Sequence, residues 1–306
     1  MINELERLVA EEKQQRDAAL AEQQRQAEEE AQRRRLIAIN TACYLKRPLD
    51  GEERVSIPVR NGGSCCGKHT PGLLGDRGTN VAVVICHPWG PLGGSMYDFN
   101  VAVLVDLFVR GAGITTLRFA FRTGLDFGYS SAADLVAACD YLLNYAPTPP
   151  EKLILVGYSY GSLVVADVAP SLPACCAFCL VAPPLGTLVP LFGPRGDITA
   201  AAQRSDKAKL AVVGDRDAFC RVARFEDWAS ELAEPAESKV MTGPEFYQDC
   251  QSGCSHLRRQ PINHHNVYQV VHLHLVPWLE RVFGCPMSKL SEATGAVARP
   301  RVENAD

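Results

Sequence analysis

Lys152-Leu153-Ile154-Leu155-Val156-Gly157-Tyr158-Ser159-Tyr160-Gly161 is the stretch that decides the fold. An apolar run leads directly into Gly-Tyr-Ser-Tyr-Gly, and Leu163, Val164, Val165 and Val168 follow as an apolar helix. A buried strand therefore turns straight into a helix. Small residues two positions either side of Ser159 let the two elements approach without a clash. Such a turn lifts the serine hydroxyl out at the C-terminal end of the strand, above the free N–H groups of the helix start. At this glycine content a Gly-x-Ser-x-Gly string arises by chance in roughly one such chain in ten. The strand before it and the helix after it make this a nucleophile turn; an ordinary tight turn with an unreactive serine is the alternative.

Outward from that turn the chain alternates. Residues 81–86, 114–119, 176–181 and 209–213 read as short buried strands, with a shorter one at 238–242. Helical spacing fills 96–110, 130–146, 221–233 and 266–283. Buried strands alternating with helices predict an α/β fold, a mostly parallel sheet with helices on both faces. Residues 54–59 suggest an antiparallel edge strand. Residues 61–80 are rich in glycine and read as a loop.

The chain has 306 residues, room for one large α/β domain or two ordinary ones. Its formal charge of −4 offers no global field for nucleic acid or an anionic membrane surface. Residues 1–36 hold nine acidic and seven basic side chains and neither glycine nor proline. They predict a charged helix. Its sparse apolar positions do not sustain a heptad seam, so it reads as a solvated extension, or as an arm for a protein partner. The division is then a helical extension over 1–45, one α/β domain over 46–285, and a polar tail over 286–306.

Twelve cysteines suggest secretion at first sight. The charged start, Met1-Ile2-Asn3-Glu4-Leu5-Glu6, carries no apolar signal core. Several cysteines, such as Cys86, Cys139, Cys175, Cys176 and Cys179, sit in apolar runs and read as packing residues. A reduced, cytoplasmic setting is the expectation. Residues 168–194 are uncharged, but six prolines interrupt them, so no membrane span is expected.

Four segments resemble a known family. They are His87-Pro88-Trp89-Gly90-Pro91-Leu92-Gly93-Gly94-Ser95-Met96, Leu117-Arg118-Phe119-Ala120-Phe121-Arg122, the Ser159 turn, and Leu180-Val181-Ala182-Pro183-Pro184. In this order they resemble the α/β-hydrolase superfamily, and within it a branch of small hydrolases of bacteria and plants. The resemblance covers roughly residues 46–284 and implies the α/β-hydrolase fold.

It also implies chemistry. A serine hydroxyl needs a base, and the base needs an orienting group. In this fold the chain order is Ser, acid, His. The strand ending Val213-Gly214-Asp215-Arg216-Asp217 suits the acid, and the resemblance puts it at Asp217, with Asp215 as alternative. Gly253-Cys254-Ser255-His256 resembles the family's histidine loop, so His256 is the implied base. His264 and His265 are alternatives, because residues 258–265 look like an insertion. His272 and His274 read as helix residues, and His87 as a loop brace. The backbone N–H of Tyr160 and that of Trp89 are the implied oxyanion donors. The implied function is a serine hydrolase that opens an ester, thioester or amide of a small acyl substrate through an acyl-enzyme. The alternative is a catalytically inert scaffold of the same fold with a helical interaction arm.

Two features limit the transfer. Residues 123–130 depart from the family's Gly-x-Gly-x-Ser loop, which leaves substrate preference open. The tract from Pro184 to Ala208 is too short for a large cap and suggests a small pocket walled by Leu185, Leu188, Leu191 and Phe192. No cofactor is implied. Cys250, Cys254, His256 and His264 lack the paired spacing of a zinc site, so no metal is assigned.

Overall fold

The computed structural model describes residues 2–61, 64–122, 129–186, 199–242 and 271–292. The elements in order are α1 (Ile2–Tyr44), β1 (Glu53–Asn61), β2 (Ser64–Gly75), β3 (Val81–Cys86), α2 (Phe99–Asp106), β4 (Thr115–Phe119), α3 (Tyr129–Asn144) and β5 (Lys152–Tyr158). They continue with α4 (Tyr160–Val168), β6 (Cys175–Val181), α5 (Ala200–Arg204), β7 (Ala208–Gly214), α6 (Val222–Ala229), β8 (Ala236–Met241) and α7 (Val276–Phe283).

The eight strands form one sheet in the order β1-β2-β4-β3-β5-β6-β7-β8. The pairs from β4 through β8 are parallel; β2 runs antiparallel to both β1 and β4. Every residue of β3 and β7 is buried, which is why β3 reads as an unbroken apolar run and β7 as one interrupted only by Lys209, whose ammonium donates to the Ser205 and Ala233 carbonyls. Alternate residues feed two cores. Val81, Val83 and Ile85 join Val101, Phe108, Trp278 and Leu279 on one face, packed with α2 and α7. Ala82, Val84 and Cys86 join Leu135, Leu142, Leu163 and Phe225 on the other, packed with α3, α4 and α6.

The glycine-rich stretch corrects the sequence reading. Much of 61–80 is strand: β2 is twelve residues long and pairs along its length with β1. Gly67, Pro71, Gly72 and Gly75 hide it from propensity arguments. At Gly72 the neighbouring strands explain the residue. A Cβ there would lie 2.9 Å from the Ile57 side chain and 3.3 Å from the Arg118 carbonyl. The edge strand at 54–59 is present as part of β1. The helix expected over 96–110 starts later, where Asp98 caps Asn100 N–H at 2.9 Å, and passes into a wider turn over Leu107–Gly111.

Helix α1 is charged, as its sequence suggests, but its last turns belong to the core. Ile39 is buried, Leu36 and Cys43 pack beside it, and Arg35 pairs with Asp106 at the end of α2. No helix among the described residues is long and apolar enough to cross a membrane.

Candidate active site

The sheet aligns the ends that matter. Cys86 of β3, Gly157 of β5, Leu180 of β6 and Ala211 of β7 stand side by side in one row. The loops leaving these strands therefore emerge at one edge.

Ser159 is the residue between β5 and α4. Its backbone has φ 53° and ψ −121°, a conformation that costs a side-chain-bearing residue of order 1–3 kcal/mol. The turn is held from both sides. Ser159 N–H donates to the Val181 carbonyl at 2.8 Å, and the Ser159 carbonyl accepts from Ser162 N–H at 2.9 Å and Ser162 Oγ at 2.5 Å. The flanking glycines meet a steric demand. A Cβ on Gly157 would lie 2.4 Å from the Gly161 carbonyl oxygen, and one on Gly161 would lie 2.5 Å from that of Cys86. The serine is half-buried at the start of α4, whose first-turn N–H groups point toward the strand end.

The loop after β3 begins where Gly161 meets Cys86. His87 is buried and braces it. One ring nitrogen, Nδ1, sits 2.5 Å from the Pro88 carbonyl, and Nε2 accepts the Phe121 N–H at 3.0 Å. Burial lowers its pKa to about 4 against the pull of the Pro88 carbonyl. With one nitrogen donating and the other accepting, the neutral ring has none left for catalysis. Trp89 follows, its carbonyl accepting from Leu92 N–H at 3.1 Å and Gly94 N–H at 3.0 Å. Gly94 lies so close under the turn that a Cβ would be 2.3 Å from the Pro88 carbonyl oxygen.

Tyr160 is fastened through its ring. Its hydroxyl donates to Ser131 Oγ at 2.9 Å, and the ring packs edge-on against Phe121 at 5.7 Å, which in turn contacts His87 at 4.6 Å. The two backbone positions implied as oxyanion donors thus belong to segments tied by one aromatic cluster.

Asp217 lies on the turn after β7. Its Oδ1 accepts the N–H groups of Phe219 at 2.8 Å and Cys220 at 2.9 Å. Burial raises its pKa and the two N–H bonds work against that rise. Neither aspartate caps the next helix, since α6 starts at Val222 behind Arg221. Asp215 instead is pinned by its N–H to the Met241 carbonyl of β8 at 2.9 Å. Asp217 is close to the residue before Ser159. The Tyr158 hydroxyl has its pKa raised by burial, and by the charges of Asp98 and Asp217.

Other residues divide as follows. His256, His264 and His265 lie outside the described residues, as do residues 123–128, Leu188, Leu191, Phe192, Cys250 and Cys254. His274 is half-buried in the turn before α7, where burial and then Lys239 lower its pKa. Leu185, read as a pocket wall, is buried in the core with Cys220 and Phe225. Cys175 and Cys179 fall in opposite cores although an even spacing on a regular strand would place them on one face, because the pairing of β6 with β5 shifts register between Leu153 and Ile154. Among the described residues no group of His, Cys, Asp or Glu is arranged to hold a metal.

Sequence reasoning did not find the partners of the two arginines in the 117–122 motif. Arg118 is fully buried and donates through Nε and Nη2 to Glu52 at 2.8 and 2.5 Å, and through Nη1 to the Met96 carbonyl at 2.8 Å. Arg122 pairs with the buried Asp134 at 2.5 Å. Two arginines four apart on a strand and the loop beyond it were the available signal; a buried arginine demands a carboxylate.

A family model described as the alpha/beta hydrolase family matches residues 83–281, about two thirds of the chain. The chain belongs to the alpha/beta hydrolase family. Among solved structures, this family member is similar to an alpha-beta serine hydrolase homologue from Coxiella burnetii, at 20% identity and TM-score 0.56. That match covers 74% of this chain and 96% of the other. It is also similar to the esterase domain of a Rhodothermus marinus protein, at 17% identity and TM-score 0.52, covering 75% and 98%. The Pyrococcus furiosus esterase Pf2001 is a third, at 17% identity and TM-score 0.54, covering 63% and 81%. At these identities the likeness is one of fold. No curated protein matches the chain.

Proposed function

We propose that this α/β-hydrolase is a serine hydrolase that cleaves a carboxylic ester, thioester or amide of a small acyl substrate. The observation that carries the reading is the backbone of Ser159, φ 53° and ψ −121° between β5 and α4. Strain of that kind on a non-glycine residue persists where the surroundings over-determine it, and it gathers at functional sites.

In this reading His256 takes the Ser159 proton as Oγ attacks the substrate carbonyl. Asp217 orients and stabilises the imidazolium. The Tyr160 and Trp89 N–H groups receive the oxyanion. His256 then protonates the leaving group, water attacks the acyl-enzyme by the same route in reverse, and the acid departs. The Asp217 carboxylate suits this role: its two main-chain N–H bonds both fall on Oδ1, and burial raises its pKa against them. Eight of the twelve cysteines are free thiols, which supports the reading of a reduced cytoplasmic setting.

Labelling with a fluorophosphonate tests the proposal. Native protein should be modified at Ser159, and Ser159→Ala should not be. Failure of the native protein to label sinks the hydrolase reading and favours the inert scaffold. A panel of acyl esters and thioesters of increasing chain length then defines the substrate.

A further inference from the structure

The docking of α1 selects which of its faces remains free. Arg35, Leu36, Ile39 and Cys43 turn toward the domain. The opposite face stays in solvent: Leu20 is 54% exposed, Ile37 57% and Tyr44 86%. These three fall on one line with a 3.5-residue period, through Leu20, Gln23, Ala27, Glu30, Arg34, Ile37, Thr41 and Tyr44.

That line is too polar to pair by apolar contact alone, but its order is symmetric about residue 32. Positions equally far from it match in chemistry: Leu20 with Tyr44, Gln23 with Thr41, Ala27 with Ile37, and Glu30 with Arg34. We propose that α1 pairs antiparallel with α1 of a second copy of this chain, about a two-fold axis at Gln32. A two-fold contact requires that when one residue meets another, the second meets the first. Any antiparallel pair of identical helices meets that condition, and here each facing pair is also compatible: apolar with apolar, polar with polar, and acid with base. A parallel pair would set Glu30 on Glu30 and Arg34 on Arg34.

The charges at the centre favour the antiparallel arrangement. Arg34 already reaches Glu30 of its own helix at 2.5 Å, with both side chains mostly exposed. A lone exposed pair of this kind adds little by itself. In the dimer two Glu30 and two Arg34 alternate in sign around the axis, so each has a partner on its own helix and one across. The pairing spans Leu20–Tyr44, about 36 Å of helix. It leaves the docked face undisturbed, because its residues lie on the other side. Arg33 sits beside the line and meets its own copy, a cost that the dimer bears.

Sedimentation of the full chain over a concentration series, at low and high salt, tests this. Wild type should show a monomer–dimer equilibrium that salt weakens. Glu30→Arg and Arg34→Glu should each weaken it about tenfold or more. An equimolar mixture of those two should recover it, because one carries only positive charge at the axis and the other only negative. Arg33→Gln should strengthen it. Circular dichroism reports whether each variant keeps its helix. A wild type that stays monomeric throughout, a dimer indifferent to both charge reversals, or a mixture that does not recover overturns the proposal.

Discussion

The carbonyl oxygen of Cys86 lies 2.5 Å from where a Cβ on Gly161 would stand. It is main-chain oxygen on a central strand and cannot step aside. Gly161→Ala should therefore force β3 and α4 apart. A cost of about 1–3 kcal/mol follows for overpacking of this kind, and Gly157→Ala should behave alike. Urea denaturation measures it. A Gly161→Ala protein as stable as wild type would show that the helix start can shift freely.

Ser159 predicts a difference between two inactive variants. Its φ of 53° suits glycine and penalises alanine. Ser159→Gly should melt higher than Ser159→Ala, while neither is labelled by a fluorophosphonate. The reverse order of melting would mean that the turn carries no strain. Against the acyl esters, Asp217→Asn should retain the fold and lose turnover by roughly 10³–10⁴-fold.

The Arg118–Glu52 pair joins the segment before β1 to β4 in a fully buried setting. Removing one partner leaves the other charge without compensation, at about 3–5 kcal/mol. Glu52→Gln and Arg118→Met should each show that loss by urea denaturation. The double variant should lose less than the sum. Additive losses would deny the coupling.

His87 gives stability a dependence on acid. Its pKa is about 4 in the fold and near 6.5 when unfolded. Between those values the unfolded chain binds the extra proton, so the contribution is complete above 6.5 and is lost as pH falls toward 4. A shift of that size corresponds to roughly 3 kcal/mol. Asp98 acts oppositely: burial raises its pKa to about 6, so the stability it gives in acid is lost as pH rises through 6. The comparison is therefore between wild type and His87→Gln. The stability advantage of wild type should shrink from pH 7 to pH 4. A constant difference would contradict a buried neutral ring.

Local signals made much of this molecule legible. The Ser159 turn could be read because its geometry is written within ten residues, with both glycines and both flanking elements adjacent. The parallel strands could be read because burial on two faces leaves an unbroken apolar run, as in Val81–Cys86. What depended on distant partners could not. β2 is a strand because β1 and β4 hold it, despite Pro71 and three glycines. Glu52 finds Arg118 across 66 residues, and nothing near either residue announces the other. Docking of Ile39 was equally silent, since a charged helix gives no sign of which turn enters a core. Asp215 and Asp217 were legible as the turn after a strand, but the main-chain groups that each one meets were not.

The cysteines have a practical consequence. Cys86, Cys139, Cys175, Cys179 and Cys220 are buried free thiols, spread over β3, α3, β6 and the turn after Asp217. Burial raises each of their pKa values, to about 12 at Cys175 and about 11 at Cys220, so the folded chain keeps them as unreactive thiols. Alkylation can then reach them only when the sheet opens. The order in which a thiol reagent marks these five positions is a clock distributed through the molecule, timing which layer comes apart first.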